Sequence, residues 1–194
     1  MSDPATRLAA VTAEARACTR CTDLPLGPRP VLRVSATARL LIVGQAPGTR
    51  VHASGIPWDD PSGDRLRAWL GLDRATFYDE RRIAIIPTGL CYPGRLANGG
   101  DAPPRATCAA FWHPRLLPLL TGLRLTLLVG SYAQAFTLGP GNMTERVRAF
   151  RHFLPERFPL PHPSWRTLGW EKRNPWFATE TLPALRGAVA STLN

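Results

Sequence analysis

Three groups of residues have the types and spacing to do chemistry. The first is Gly44-Gln45-Ala46-Pro47-Gly48, which ends the apolar run Leu40 to Val43 and precedes Gly55, Pro57, Trp58 and the acidic pair Asp59-Asp60. Two glycines in five residues let a backbone turn sharply and approach a ligand closely, although a purely structural turn uses the same residues. The second group is His162-Pro163-Ser164, which follows a short apolar run and leads into Trp165, Arg166 and Leu168. Both groups sit at expected strand ends, and open parallel sheets gather ligands outside the carboxyl ends of their strands. His52, His113 and His152 lack such a setting and read as core or surface histidines. The third group is the four cysteines Cys18, Cys21, Cys91 and Cys108.

In a reducing cytosol four cysteines do not read as two structural disulfides. Cys18-x2-Cys21 can place two thiolates on one metal centre, and Cys91 and Cys108 would complete a four-thiolate shell. Zinc and a [4Fe–4S] cluster both accept that shell. Compact zinc sites more often use two close pairs, so the long second spacing leans towards iron–sulfur, with zinc as the alternative and unligated thiols as the third reading.

The elements that must position these groups follow from pattern. Asp3-Pro4 is a cap-and-proline helix start, and Leu8, Val11 and Ala15 give that helix an apolar stripe running into Cys18. A Pro- and Gly-rich loop spans Thr22 to Ala36. Leu40 to Val43 reads as a buried strand, and Ser62 is expected to cap a helix carrying Leu66, Trp69 and Leu70, closed by Gly71. A second strand, Ile83 to Ile86, leads to Cys91, and a long loop follows from Tyr92 to Pro104. A helix starting near Arg105 carries Cys108, with Pro114 and Pro118 expected to break or restart it. Leu123 to Val129 is the third strand. Ser131 is expected to cap a helix through Phe136, and a further helix runs near Thr144 to Phe150. Phe158 to Leu160 is the fourth strand, and Asn174-Pro175 starts a terminal helix interrupted by Pro183. Strands alternating with helices predict an α/β protein with a parallel sheet covered on both faces.

A chain of 194 residues with 44% hydrophobic content suits one domain, residues 1–194, with a substantial core. No apolar run reaches membrane-spanning length, and no basic-then-apolar leader pattern opens the sequence, so a cytoplasmic protein with no membrane partner is expected; a monomer is expected as well. The net charge is +10, and among the 24 basic residues only Lys172 is lysine. Coding bias accounts for the arginine preference but not for the excess over acid, which favours a polyanion such as DNA.

Taken together, Gly44-x-Ala46-Pro47-Gly48, Gly55-x-Pro57-Trp58 and Ser62-Gly63 resemble the first motif block of the uracil-DNA glycosylase superfamily, closest to its iron–sulfur (family four) branch. There the pattern is G-E-A-P-G, G-x-P-F and A-G before a leucine-rich helix. His162-Pro163-Ser164 resembles the second catalytic block, and the four cysteines match that branch in order and spacing. The resemblance implies a three-layer α/β/α sandwich with a small four-stranded parallel sheet and a [4Fe–4S] cluster on Cys18, Cys21, Cys91 and Cys108. It implies a monofunctional DNA glycosylase acting on a flipped-out damaged base. His162 would hydrogen-bond the base, helped by turn amides at Gln45 and Ala46, while Trp58 stacks on it. Gly44, Pro47, Gly48, Thr88, Ser164 and Arg166 would complete the substrate site. Arg166, Lys172 and Arg173 would meet phosphates.

The sequence departs from that pattern twice. Gln45 stands where the branch has glutamate, and a neutral amide orients water without acting as an anionic base. Another branch has Gln there but follows it with Asp, where this chain has Ala46, so Asp59 or Asp60 is the candidate source of the missing charge. The branch asparagine that reads the uracil edge falls on Pro87, beside Thr88. The leading expectation is excision of uracil or another deaminated base. The alternatives are a non-catalytic DNA-damage-binding member of the fold, a glycosylase for a different base, and a zinc-stabilised nucleotide-binding protein that puts phosphate on the Gly44–Gly48 turn. Against the last, no Gly-Lys-Ser/Thr follows the turn, and Pro47 removes one N–H.

Overall fold

The sheet begins with β1 (Leu40–Val43), whose four side chains are all buried. It is joined by β2 (Ile83–Ile85), β3 (Leu125–Val129) and β4 (Arg157–Leu160). The order is β2-β1-β3-β4 and every pair is parallel, with Ile42 opposite both Ile85 and Leu127, and Val129 opposite Leu160. This computed structural model describes residues 3–97 and 99–194.

In chain order, α1 (Pro4–Arg16) precedes the sheet, α2 (Thr49–Ser54) and α3 (Pro61–Leu70) follow β1, and α4 (Arg74–Phe77) precedes β2. Then α5 (Ala106–Leu116) and α6 (Ser131–Leu138) flank β3, α7 (Met143–Arg148) precedes β4, and α8 (Leu168–Arg173) and α9 (Leu182–Leu193) come after it. Alternation along the strands sorts the core into two layers. Leu40, Ile42, Leu127 and Leu160 pack with Leu66 and Leu70 of α3 and Leu185 and Val189 of α9. Leu41, Val43 and Leu128 pack on the other face with Leu8 of α1, Trp112 and Leu116 of α5 and Ala133 of α6. The expected three-layer arrangement is present. Each fully buried Leu or Ile in these layers contributes about 1.5–3 kcal/mol.

Several boundaries differ from the sequence reading. The cap of α3 is Asp60, not Ser62: its Oδ1 accepts the Gly63 N–H at 2.8 Å, and Pro61 fills the first helical position, where a missing N–H costs nothing. Likewise Gly130 caps α6, and Ser131 is its first residue. The helix α5 continues through Pro114, while Pro118 sits in the 3-10 turn Leu117–Leu119. Pro183 lies in the first turn of α9, after a π-helical turn at Phe177–Thr181, so it starts that helix instead of interrupting it. The loop before β1 is partly paired: Arg33 and Ile85 exchange backbone hydrogen bonds of 3.0 and 2.7 Å, covering the open edge of β2. Among the described residues no helix is long and apolar enough to cross a membrane.

Candidate active site

The chain leaves β1 towards β2 on one side and crosses to β3 on the other, so a crevice opens between β1 and β3 at their carboxyl ends. A cavity of about 420 Å³ lies there. Its walls are the turn Gly44–Gly48, Trp58 and Asp60 before α3, Pro87 after β2, Arg95, Gly100 and Asp101 of the long loop, and His162 with Ser164–Arg166 after β4.

The turn is held from beneath. Thr88 N–H donates to Gly44 O at 2.9 Å, Gly89 N–H to Gln45 O at 2.8 Å, and the Thr88 hydroxyl to Gln45 O at 2.6 Å. Thr88 is therefore buried under the turn, bracing it from beneath, and is not among the residues of the cavity wall. The Gln45 Nε2 donates to Ala102 O at 3.2 Å and joins the turn to the long loop.

Trp58 adopts φ +59°, a left-handed conformation that costs a non-glycine residue about 1–3 kcal/mol and persists where its surroundings fix it. Three contacts fix it. Its indole lies on Gly44, where a Cβ would stand 2.8 Å from Cζ2, and its carbonyl lies on Gly63. Arg67 Nη1 donates to that carbonyl at 3.2 Å. The indole faces His162, with ring centroids 5.7 Å apart and planes inclined by 34°.

His162 sits over the end of β3, beside Gly130. Burial lowers its pKa below the ordinary 6.5, while the Asp60 charge pulls the other way, so the neutral imidazole prevails at pH 7. The Thr167 hydroxyl donates to the His162 carbonyl, and Arg65 of α3 donates to the Ser164 carbonyl at 2.5 Å. Arg166 reaches across the mouth and packs on Gly100.

The two loop carboxylates part company. Asp60 lines the cavity, with one oxygen engaged in capping α3. Asp59 is paired with Arg74 at 2.8 Å, a bond that holds its carboxyl below the usual range, and it lies outside the cavity wall. The sequence reading did not weigh Asp101, Arg95, Arg65 or Arg67. A loop of more than about 12 residues without secondary structure of its own is the signal that could have drawn attention to Arg95 and Asp101.

Cys18, Cys21, Cys91 and Cys108 line a second, smaller cavity together with Leu90, Arg105 and Trp112. All four are free thiols. Burial pushes the Cys91 thiol up to about 11, and the neighbouring Cys108, Cys18 and Cys21 push in the same direction. Leu90 N–H points at Cys108 Sγ, 3.3 Å away, and an Asp23–Arg105 ion pair closes the same region. Among the described residues no three His, Cys, Asp or Glu side chains are gathered closely enough to hold a metal ion. Four thiols ionised together would repel one another, so this donor set fits a cationic centre.

A model of the Uracil DNA glycosylase superfamily matches residues 33–186. The chain is also similar to the solution NMR structure of a Methanosarcina acetivorans protein provisionally named a uracil DNA glycosylase, with 17% identity and a TM-score of 0.45, over 80% of this chain and 93% of that one.

Proposed function

The chain belongs to the uracil DNA glycosylase superfamily, and from that premise we propose that it excises uracil or another deaminated base from DNA by hydrolysing the N-glycosidic bond, as in base excision repair. The observation that carries this reading is the meeting of the Gly44–Gly48 turn, Trp58 and His162 around one cavity at the strand switch point.

Breaking an N-glycosidic bond develops cationic character on the sugar and negative charge on the departing base. Fixed donors aimed at the base therefore lower the barrier most. A neutral His162 donates to the base, with the Gln45 and Ala46 N–H groups beside it. The base must first leave the duplex, which costs a few kcal/mol, and stacking on the Trp58 indole offsets part of that. Arg95 and Arg166 at the mouth, and the +10 charge behind them, favour the phosphates on either side. Lys172, the only lysine, is not in the cavity wall, so no lysine amine stands ready to form a Schiff base there. That favours attack by water, without strand nicking.

The four cysteines would hold a [4Fe–4S] cluster, with zinc as the other candidate. Either centre would act structurally, tying the segment after α1 to the segment between β2 and α5. All steps at the base are left to the residues of the first cavity.

The test is incubation of the protein with duplexes carrying a single uracil, hypoxanthine or xanthine, followed by alkaline cleavage of abasic product. Product from at least one substrate is expected. Tight binding to an abasic-site duplex with no excision of any base would instead favour a non-catalytic damage-binding protein. Two observations give that second reading its basis: Pro87 lines the cavity with no side-chain donor, and Gln45 is engaged with Ala102.

A further inference from the structure

We infer that Asp101 is the catalytic carboxylate that takes the proton from the attacking water, an inference that rests on the glycosylase reading above. The other candidates are committed elsewhere. Gln45 carries an amide and holds Ala102. Asp59 pairs with Arg74 outside the cavity, and Asp60 caps α3 through Oδ1.

Asp101 lines the same cavity. Arg95 and Asp101 form an antiparallel bridge, Leu96 N–H donates to Gly100 O at 2.9 Å, and Ala102 N–H to Gly94 O at 2.8 Å. That hairpin returns the chain over the turn and sets Asp101 against Gly48, where a Cβ would stand 3.3 Å from Oδ2. The residue keeps access to solvent, which a water-activating group needs. Loss of hydration raises its pKa and the Asp60 charge adds to this, while Arg95 and Arg166 pull it down. The charged groups facing it are thus Asp60, Arg95 and Arg166. A carboxylate shifted upward is a stronger base than an ordinary aspartate.

The step balances as a hydrolysis. The water oxygen forms a bond to the sugar C1′, and the C1′–N bond breaks with its electron pair leaving on the base nitrogen, whose charge His162 and the turn amides stabilise. The water proton passes to Asp101 and then to solvent.

The experiment compares wild type, Asp101→Asn and Asp101→Glu in single-turnover excision across a pH series, with binding to an abasic-site duplex measured alongside. The expected result is a rate loss of about 100- to 10,000-fold in Asp101→Asn with binding retained. The rising limb of the wild-type pH profile should disappear, and Asp101→Glu should recover part of the rate. A wild-type rate in Asp101→Asn, a slow variant that keeps the rising limb, or a rate loss matched by lost binding would each overturn the assignment. If wild type excises no base, the glycosylase reading itself fails, and the role of Asp101 with it.

Discussion

Arg67 donates to the carbonyl oxygen of Trp58 at 3.2 Å, so a buried residue in the middle of α3 fixes the aromatic wall of the cavity. The same guanidinium meets Tyr78 Oη at 3.3 Å and Asp64 at 2.5 Å, and Tyr78 Oη donates to Pro57 O at 2.9 Å. Two residues earlier, Arg65 holds the Ser164 carbonyl. One helix thus ties down both loops that carry the proposed base-binding residues, and the left-handed Trp58 is held by bonds to its own and the preceding carbonyl.

Arg67→Ala should therefore cost about 1–3 kcal/mol, since it leaves buried oxygens without a donor. Excision should fall along with it, because Trp58 loses its anchor. Arg67→Lys should restore little, since one ammonium cannot reproduce a planar fork reaching three partners. Urea unfolding and single-turnover rates on the three proteins check this; an unaffected rate in Arg67→Ala would show that Trp58 needs no such support.

Gly63 gives a second test of the same wall. A Cβ there would stand 1.7 Å from the Trp58 carbonyl oxygen, a backbone atom that cannot swing aside, so Gly63→Ala must displace Trp58 or α3. A loss of about 1–3 kcal/mol is expected. Gly187 in α9 meets nothing within 4 Å, and Gly187→Ala should stabilise the fold by about 0.4–1 kcal/mol. Thermal melts of the two variants should move in opposite directions.

What could be read from sequence follows physical range. The sheet was legible because Leu40 to Val43 and its counterparts are continuous apolar runs bounded by turn residues, a local signal. The meeting of His162, Trp58 and the Gly44–Gly48 turn was legible through the motif pattern, although His162 lies 104 positions after Trp58. The fate of each carboxylate was not. Asp59 and Asp60 are neighbours in sequence, yet Asp59 pairs with Arg74 while the Gly63 amide holds Asp60 in the cavity wall. Asp101 enters the site only because a hairpin in the 92–104 loop folds back, and nothing in its own neighbourhood announces where that loop lands.

The pH dependence of stability should report two histidines, His113 in the core and the half-buried His162 in the cavity wall. Burial holds both His113 and His162 below 6.5, with the Pro87 carbonyl and Asp60 opposing it in turn. The unfolded chain takes up protons as pH falls through about 6.5, while the folded chain resists until lower pH. Stability contributed by the neutral forms is thus full above about 6.5 and is lost as pH falls through the folded pKa values. Denaturant unfolding between pH 7.5 and 5 should show this decline. The slope should be shallower in His113→Leu, which starts less stable because Pro87 O loses its partner.

The cysteine cavity makes a compositional prediction. Protein purified anaerobically should be brown and contain about four irons per chain, as a [4Fe–4S] centre requires. Cys108→Ala should lose the iron and lower the melting temperature, with α1 loosened from α5, while the fraction that stays folded retains excision. Colourless protein with one zinc per chain would replace the cluster by the alternative metal.

The last prediction separates Gln45 from the carboxylate found at its place in the resembling branch. If Gln45 acted at the water, Gln45→Glu would supply an anionic base and raise the rate. The side chain instead acts as a tether. Its amide donates to Ala102 O at 3.2 Å, one residue from Asp101, and so holds the long loop against the turn. A glutamate presents only acceptor oxygens to that carbonyl when ionised, so the bond is lost and replaced by repulsion. Gln45→Glu should therefore excise more slowly than wild type, and Gln45→Ala, which loses the bond without repulsion, should be less impaired than Gln45→Glu. Both should remain faster than His162→Ala, whose lost donor is expected to cost about 100- to 1000-fold. Single-turnover rates of the three variants at one pH decide the order, and a gain of rate in Gln45→Glu would return the proton-accepting role to position 45.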